Sequence, residues 1–111
     1  MNIFILPCEN EKEFELLAKS LVVIGNEKEF RDYGFTNAYK PRLYWCKQLK
    51  ERDNYDVSFG ISINKKRMKI SDFEILDENF CQPIFCSDDE LLQIKDIIHD
   101  MVSHGLFTII N

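Results

Sequence analysis

The sequence predicts an α+β fold: an antiparallel or mixed sheet of about five strands with two helices on one face, in the order β-α-β-β-β-α-β. Three observations lead there. Residues 57–64 alternate, with Val57, Phe59, Ile61 and Ile63 apolar and Ser58, Gly60, Ser62 and Asn64 small or polar, which is the period of a half-buried strand. Two other stretches, 14–24 and 91–102, repeat their apolar residues at helical spacing. A length of 111 residues, 45% hydrophobic and 30% charged, suits one core, so residues 1–111 are read as a single domain.

The first element is a strand, since Ile3, Phe4, Ile5 and Leu6 form a continuous apolar run closed by Pro7. Asn10 with Glu13 offers a capping-box start to a helix whose stripe is Phe14, Leu17, Ala18, Leu21 and Ile24, ended by Gly25 and Asn26. Residues 26–41 read as an ordered loop with one helical turn near Glu27 to Asp32, because Gly34, Asn37 and Pro41 break any period. A loop of that length in a compact domain is often functional.

Three strands near 42–50, 55–64 and 67–77 follow as an antiparallel meander, separated by the turn-rich Glu51-Arg52-Asp53-Asn54 and Asn64-Lys65-Lys66-Arg67. Ser87 with Glu90 is a second capping box, and it opens a helix with the stripe Leu91, Ile94, Ile98, Met101 and Val102, terminated at Gly105. Leu106 to Ile110 reads as a last strand or an apolar tail docked on the core.

Catalytic and cofactor motifs are not found. The four glycines, Gly25, Gly34, Gly60 and Gly105, match no phosphate-binding pattern. Cys8, Cys46, Cys81 and Cys86 lack paired zinc-ligand spacing, so no metal and no cofactor is expected. His99 and His104 are the only imidazoles, and on one helix they point about 140° apart. Met1 to Pro7 has no basic segment before its apolar run and leads into acidic Glu9 to Glu13, which does not fit a signal peptide. No apolar run is long enough to cross a bilayer. A cytoplasmic protein with reduced thiols is the expectation.

Charge is the informative feature. The net charge of −5 conceals segregation: residues 40–69 hold nine cations against three acids, +6, and residues 70–111 hold nine acids against Lys95 alone, −8. The basic block, Lys40, Arg42, Lys47, Lys50, Arg52, Lys65, Lys66, Arg67 and Lys69, is interleaved with Tyr39, Tyr44, Trp45 and Tyr55, as on nucleic-acid surfaces. Lysines also protect edge strands and hairpin tips, and the acidic total argues against a nucleic-acid partner. The acidic segment offers Asp72, Glu74, Asp77, Glu78, Asp88, Asp89 and Glu90, with Phe80 and Phe85 as aromatic anchors, as a surface for an electropositive protein. The same acids have structural uses in capping a helix and closing a turn.

An acidic α+β domain of this size without catalytic motifs, carrying the run Phe73-Glu74-Ile75-Leu76-Asp77-Glu78-Asn79-Phe80-Cys81-Gln82-Pro83, resembles the small immunity proteins of bacterial contact-dependent and polymorphic toxin systems. The resemblance implies a cytoplasmic inhibitor, not an enzyme, that binds a cognate toxin domain, often a nuclease, and blocks its active site or substrate surface. Two other readings stay open: a nucleic-acid-binding module built on residues 40–69, and a small cysteine enzyme pairing Cys81 or Cys86 with His99.

Overall fold

The computed structural model describes residues 9–38, 41–49, 57–77, 82–83 and 86–110, with side chains from residue 11 onward except at 77 and 82–83. The strand expected at Ile3 to Leu6 lies outside the described residues, as do Cys8, Tyr39, Lys40, Lys50, Arg52, Tyr55, Glu78, Phe80, Cys81 and Phe85. The class is α+β. Three helices and two antiparallel sheets follow in the order α1 (Glu9–Ser20), β1 (Leu21–Val23), α2 (Glu27–Tyr33), β2 (Arg42–Gln48), β3 (Val57–Asn64), β4 (Lys69–Asp77), β5 (Gln82–Pro83), α3 (Asp88–Ser103) and β6 (Phe107–Ile109).

The meander holds. β2, β3 and β4 pair antiparallel, with Trp45 opposite Ile61 opposite Phe73 and Lys47 opposite Phe59 opposite Ile75, and β5 adds two residues to β4. Where the register passes from Ser62–Asp72 to Ile63–Ile70, Ser71 is an extra residue, and its hydroxyl donates to the Ser62 carbonyl at 3.3 Å. This bulge restores parity: Ile70 joins Phe73 and Ile75 on the core face although the spacing in sequence is odd.

On that face Val57, Phe59, Ile61 and Ile63 are fully buried. Phe14 of α1 lies 4.9 Å from Phe73 and 6.2 Å from Phe59, ring centre to ring centre, and α3 contributes buried Leu91, Ile94, Ile98 and Met101 to the same core. Glu11 of α1 accepts the Cys86 N–H at 2.8 Å, and Lys95 of α3 reaches Glu13 at 3.2 Å, so the two long helices lie side by side. The opposite face of β3 is sealed as well, because Ser58, Gly60 and Ser62 are small enough to disappear beneath flanking side chains. Tyr44 crosses above Gly60, where an added Cβ would stand 3.1 Å from its hydroxyl.

The architecture differs from the expectation in four respects. The helical stripe does not run on to Ile24: α1 stops at Ser20, whose hydroxyl donates to the Leu17 carbonyl at 2.8 Å, and the β-branched residues after Leu21 extend as β1. The last strand therefore pairs with β1, Leu21 opposite Ile109 and Val23 opposite Phe107, in a two-stranded sheet of its own. Residues 27–33 form a full helix instead of one turn, capped by Asn26, whose side chain accepts the Glu29 N–H while Glu29 accepts the Asn26 N–H. Gly34, at φ 131°, ends it. Asn10 lies inside α1, which begins one residue earlier than the cap placed there.

The aromatics of this stretch are core: Phe30 and Phe35 are buried and meet edge to face at 4.9 Å, and Phe30 meets Phe107 of β6 at 5.4 Å, joining the small sheet to the large one. Among the described residues no helix is long and apolar enough to cross a membrane.

The second capping box forms as the sequence implies, the Ser87 hydroxyl accepting the Glu90 N–H at 3.2 Å and Glu90 accepting the Ser87 N–H at 3.0 Å. Ser87→Ala is expected to lower unfolding free energy by about 1 kcal/mol, and Phe59→Ala by about 3–5 kcal/mol. Urea denaturation of the two variants checks both values and their order.

Candidate functional site

Among the described residues, the acids of the acidic segment do not share one patch. Asp72 and Glu74 stand on the open face of the large sheet, opposite the helices, where Asp72 accepts from Arg42 at 2.8 Å across β3. With Tyr44 and Ser62 these three charges line a hollow of about 310 Å³. Asp77 ends β4, and Asp88 and Asp89 are exposed in the first turn of α3. Glu90, expected at a partner surface, is instead 2% exposed and spent on the cap, so it is removed from that role.

The charge blocks also mix in space. Arg42 joins Asp72, and Lys65 bonds Asn37 at 2.6 Å and stands 3.5 Å from Glu27, so antiparallel pairing and chain reversal carry basic residues to acidic ones. Trp45 and Tyr44, adjacent on a strand, point to opposite faces and do not form a common stacking surface. Cys86 is buried just before the N-cap of α3 and its backbone N–H is held by Glu11; His99 lies about 16 Å along α3 from the helix's first residue, too far for a nucleophile–base pair. Cys46 is exposed on β2. Among the described residues no cluster of three or more His, Cys, Asp or Glu side chains is set to hold a metal.

A site that the reading of the sequence missed lies between α2, β2 and α3. Two adjoining hollows of about 300 and 530 Å³ share Tyr33, Trp45 and Asp100 in their walls. Carboxylates dominate: Glu29 and Asp32 from α2, Asp96 and Asp100 from α3, against Lys47 of β2. Asp89, Gln93, Asp96 and Asp100 fall within an arc of about 60° on α3 and make a stripe about 16 Å long beside the cleft. Gln93 donates to Asp89 at 3.0 Å along this stripe, and Asp96 has no hydrogen-bond or ion-pair partner among the described residues. The signal was present as acids at i, i+7 and i+11, outweighed by the apolar stripe on the other side of the helix.

The aromatic wall is fixed from behind. Trp45 stacks on buried Phe35 with centroids 6.2 Å apart and planes at 27°, and it meets Phe59 edge-on at 6.4 Å. Tyr33 inclines to Trp45 at 6.2 Å, takes the His104 ring edge-on at 5.1 Å, and donates its hydroxyl to Asp100 at 2.6 Å, which ties α2 to the end of α3. His104 caps α3, its Nδ1 2.8 Å from the Asp100 carbonyl and 3.7 Å from the Asp100 carboxylate. Rings with negative faces, ringed by carboxylates, attract cations through both the quadrupole and the charge.

The same contacts act on Tyr33. Burial first, then the hydrogen bond to Asp100 and the negative charge it carries, push the phenol far above its usual value of 10. Since the folded state raises this pKa, the stabilisation is complete below the unfolded value and is lost as pH rises through the folded one. Alkaline titration of phenolate absorbance is expected to show one of the four tyrosines resisting ionisation, and Asp100→Asn is expected to move it partway back toward the ordinary range. A single transition for all tyrosines would contradict the Tyr33–Asp100 bond.

Fold and cleft together define a small α+β domain with an acidic, aromatic-walled groove at the edge of its sheet. No protein-family model matches the sequence, and no curated protein matches it either. The crystal structure of a DUF1831 family protein from Lactobacillus plantarum is similar in fold, with a TM-score of 0.65 at 11% identity over 79% of this chain and 84% of that one. At that identity the likeness concerns the fold alone.

Proposed function

We propose that this chain is a stoichiometric inhibitor of the immunity type, acting in the cytoplasm by binding a cationic toxin domain, of the nuclease kind, and not by turnover. The observation that supports this most is the acidic stripe of α3, Asp89, Asp96 and Asp100, running beside a cleft in which Asp100 shares a hollow with Glu29 and Asp32 of α2. A nuclease must present positive charge to phosphates, and a protein surface of opposite sign, built on two helices braced against a sheet, complements it and accelerates encounter. The proposed face is α2 together with the α3 stripe from Asp89 to Asp100; Asp72, engaged by Arg42, and Glu90, which is buried, are left out of it.

Mixing the chain with the toxin domain encoded beside it is expected to give a one-to-one complex and to abolish toxicity. Asp89→Lys and Asp96→Lys should each weaken that complex about tenfold or more, mainly through slower association. Absence of a complex at micromolar concentration, or an affinity indifferent to both reversals, rejects the reading. Glu74→Lys, on the opposite face of the sheet, serves as the control and is expected to leave affinity unchanged.

A further inference from the structure

We propose that the α2–β2–α3 cleft is a receptor for a single arginine side chain presented by the partner, its guanidinium lying against the Trp45 and Tyr33 rings and bonding Asp96 and Asp100. The proposal deepens the inhibitor reading, on which it rests for the source of the arginine. Trp45 and Tyr33 are partly exposed, 6.2 Å apart and inclined at 50°, and so form an open angle, not a closed stack. Trp45 cannot turn away, because Phe35 and Phe59 hold its other surfaces.

Asp96 brings an uncommitted carboxylate to one hollow, and Asp100 uses one oxygen on Tyr33 and stands with the other 3.7 Å from His104. Lys47 lines the same hollow but lies within 4.0 Å of none of these carboxylates. A planar cation can lie along a ring face and still point two donors at a carboxylate, which a lysine ammonium cannot do. The size agrees, since the hollow of about 300 Å³ has room for one such side chain.

Trp45 is the single tryptophan of the sequence, so its indole reports on this cleft without interference. Titration of the full chain with N-acetyl-arginine methylamide, followed by the indole N–H resonance, is expected to give a saturable shift at millimolar concentration. The matching citrulline amide, of the same shape without charge, and the lysine amide should each bind about tenfold more weakly, as should the arginine probe to an Asp96→Asn/Asp100→Asn chain. Asp96→Asn alone, at an exposed side chain, should weaken the probe with the thermal melt unchanged.

Equal binding of arginine and citrulline, equal binding of arginine and lysine, or an undiminished shift in the double variant overturns the proposal. The two readings fail separately. A toxin complex that forms and survives Asp96→Asn/Asp100→Asn removes the arginine receptor and leaves the inhibitor, whereas a cleft that selects arginine in a chain that binds no toxin removes the inhibitor and leaves the receptor.

Discussion

β3 runs through the middle of the large sheet with no solvent on either side, and the two sides are closed by opposite means. Toward the helices, Val57, Phe59, Ile61 and Ile63 supply volume, and helices must cover them. Away from the helices, Ser58, Gly60 and Ser62 supply almost none, so side chains from β2 and β4 fold inward across them: Tyr44 over Gly60, Arg42 to Asp72 above Ser62. The strand thus fixes the separation of its neighbours and the direction of their side chains. Trp45, Lys47 and Leu49 are aimed at the helical side because β3 holds β2 in that register, and the cleft follows from that.

Much of this was legible in the sequence, for local reasons. The alternation at 57–64, the turn after Asn64 and the pair Ser87 and Glu90 are short-range signals, and the elements they mark form where expected. The end of α1 was not legible by period, since Leu21 and Ile24 continue the helical spacing; the β-branched Val22 and Val23 and the Ser20 hydroxyl decided it. Asn26 with Glu29 carried the same capping signal as Ser87 with Glu90, but Gly34 and Asn37 drew the weight toward a loop. The bulge at Ser71 had no signal at all, because it corrects a parity that only the paired strand imposes.

Linear charge was the more misleading guide. Blocks of +6 and −8 suggest two faces, yet strands that reverse direction put the first against the second, and an acid counted in a block can be one that a helix terminus consumes, as Glu90 is. The cleft draws its acids partly from outside both blocks, Glu29 and Asp32 from the first third of the chain, and partly from the last, Asp96 and Asp100. No count along the chain brings them together. Long-range packing of Phe30, Phe35 and Phe107 does, by seating α2 between the two sheets.

The pairing of β1 with β6 sets the order in which such a molecule can be completed. Leu21 meets Ile109, Ile110 donates to the Ser20 carbonyl, and Leu106 accepts from Ile24 and Gly25, so an early segment waits for a late one. During synthesis the meander and α1 can condense while the ribosome still holds residues 106–110, leaving Leu21 and Phe30 without their covering partner. The small sheet is therefore the clasp of the domain, a contact between Leu21–Val23 and Phe107–Ile109 that can form only after every element between them has been made.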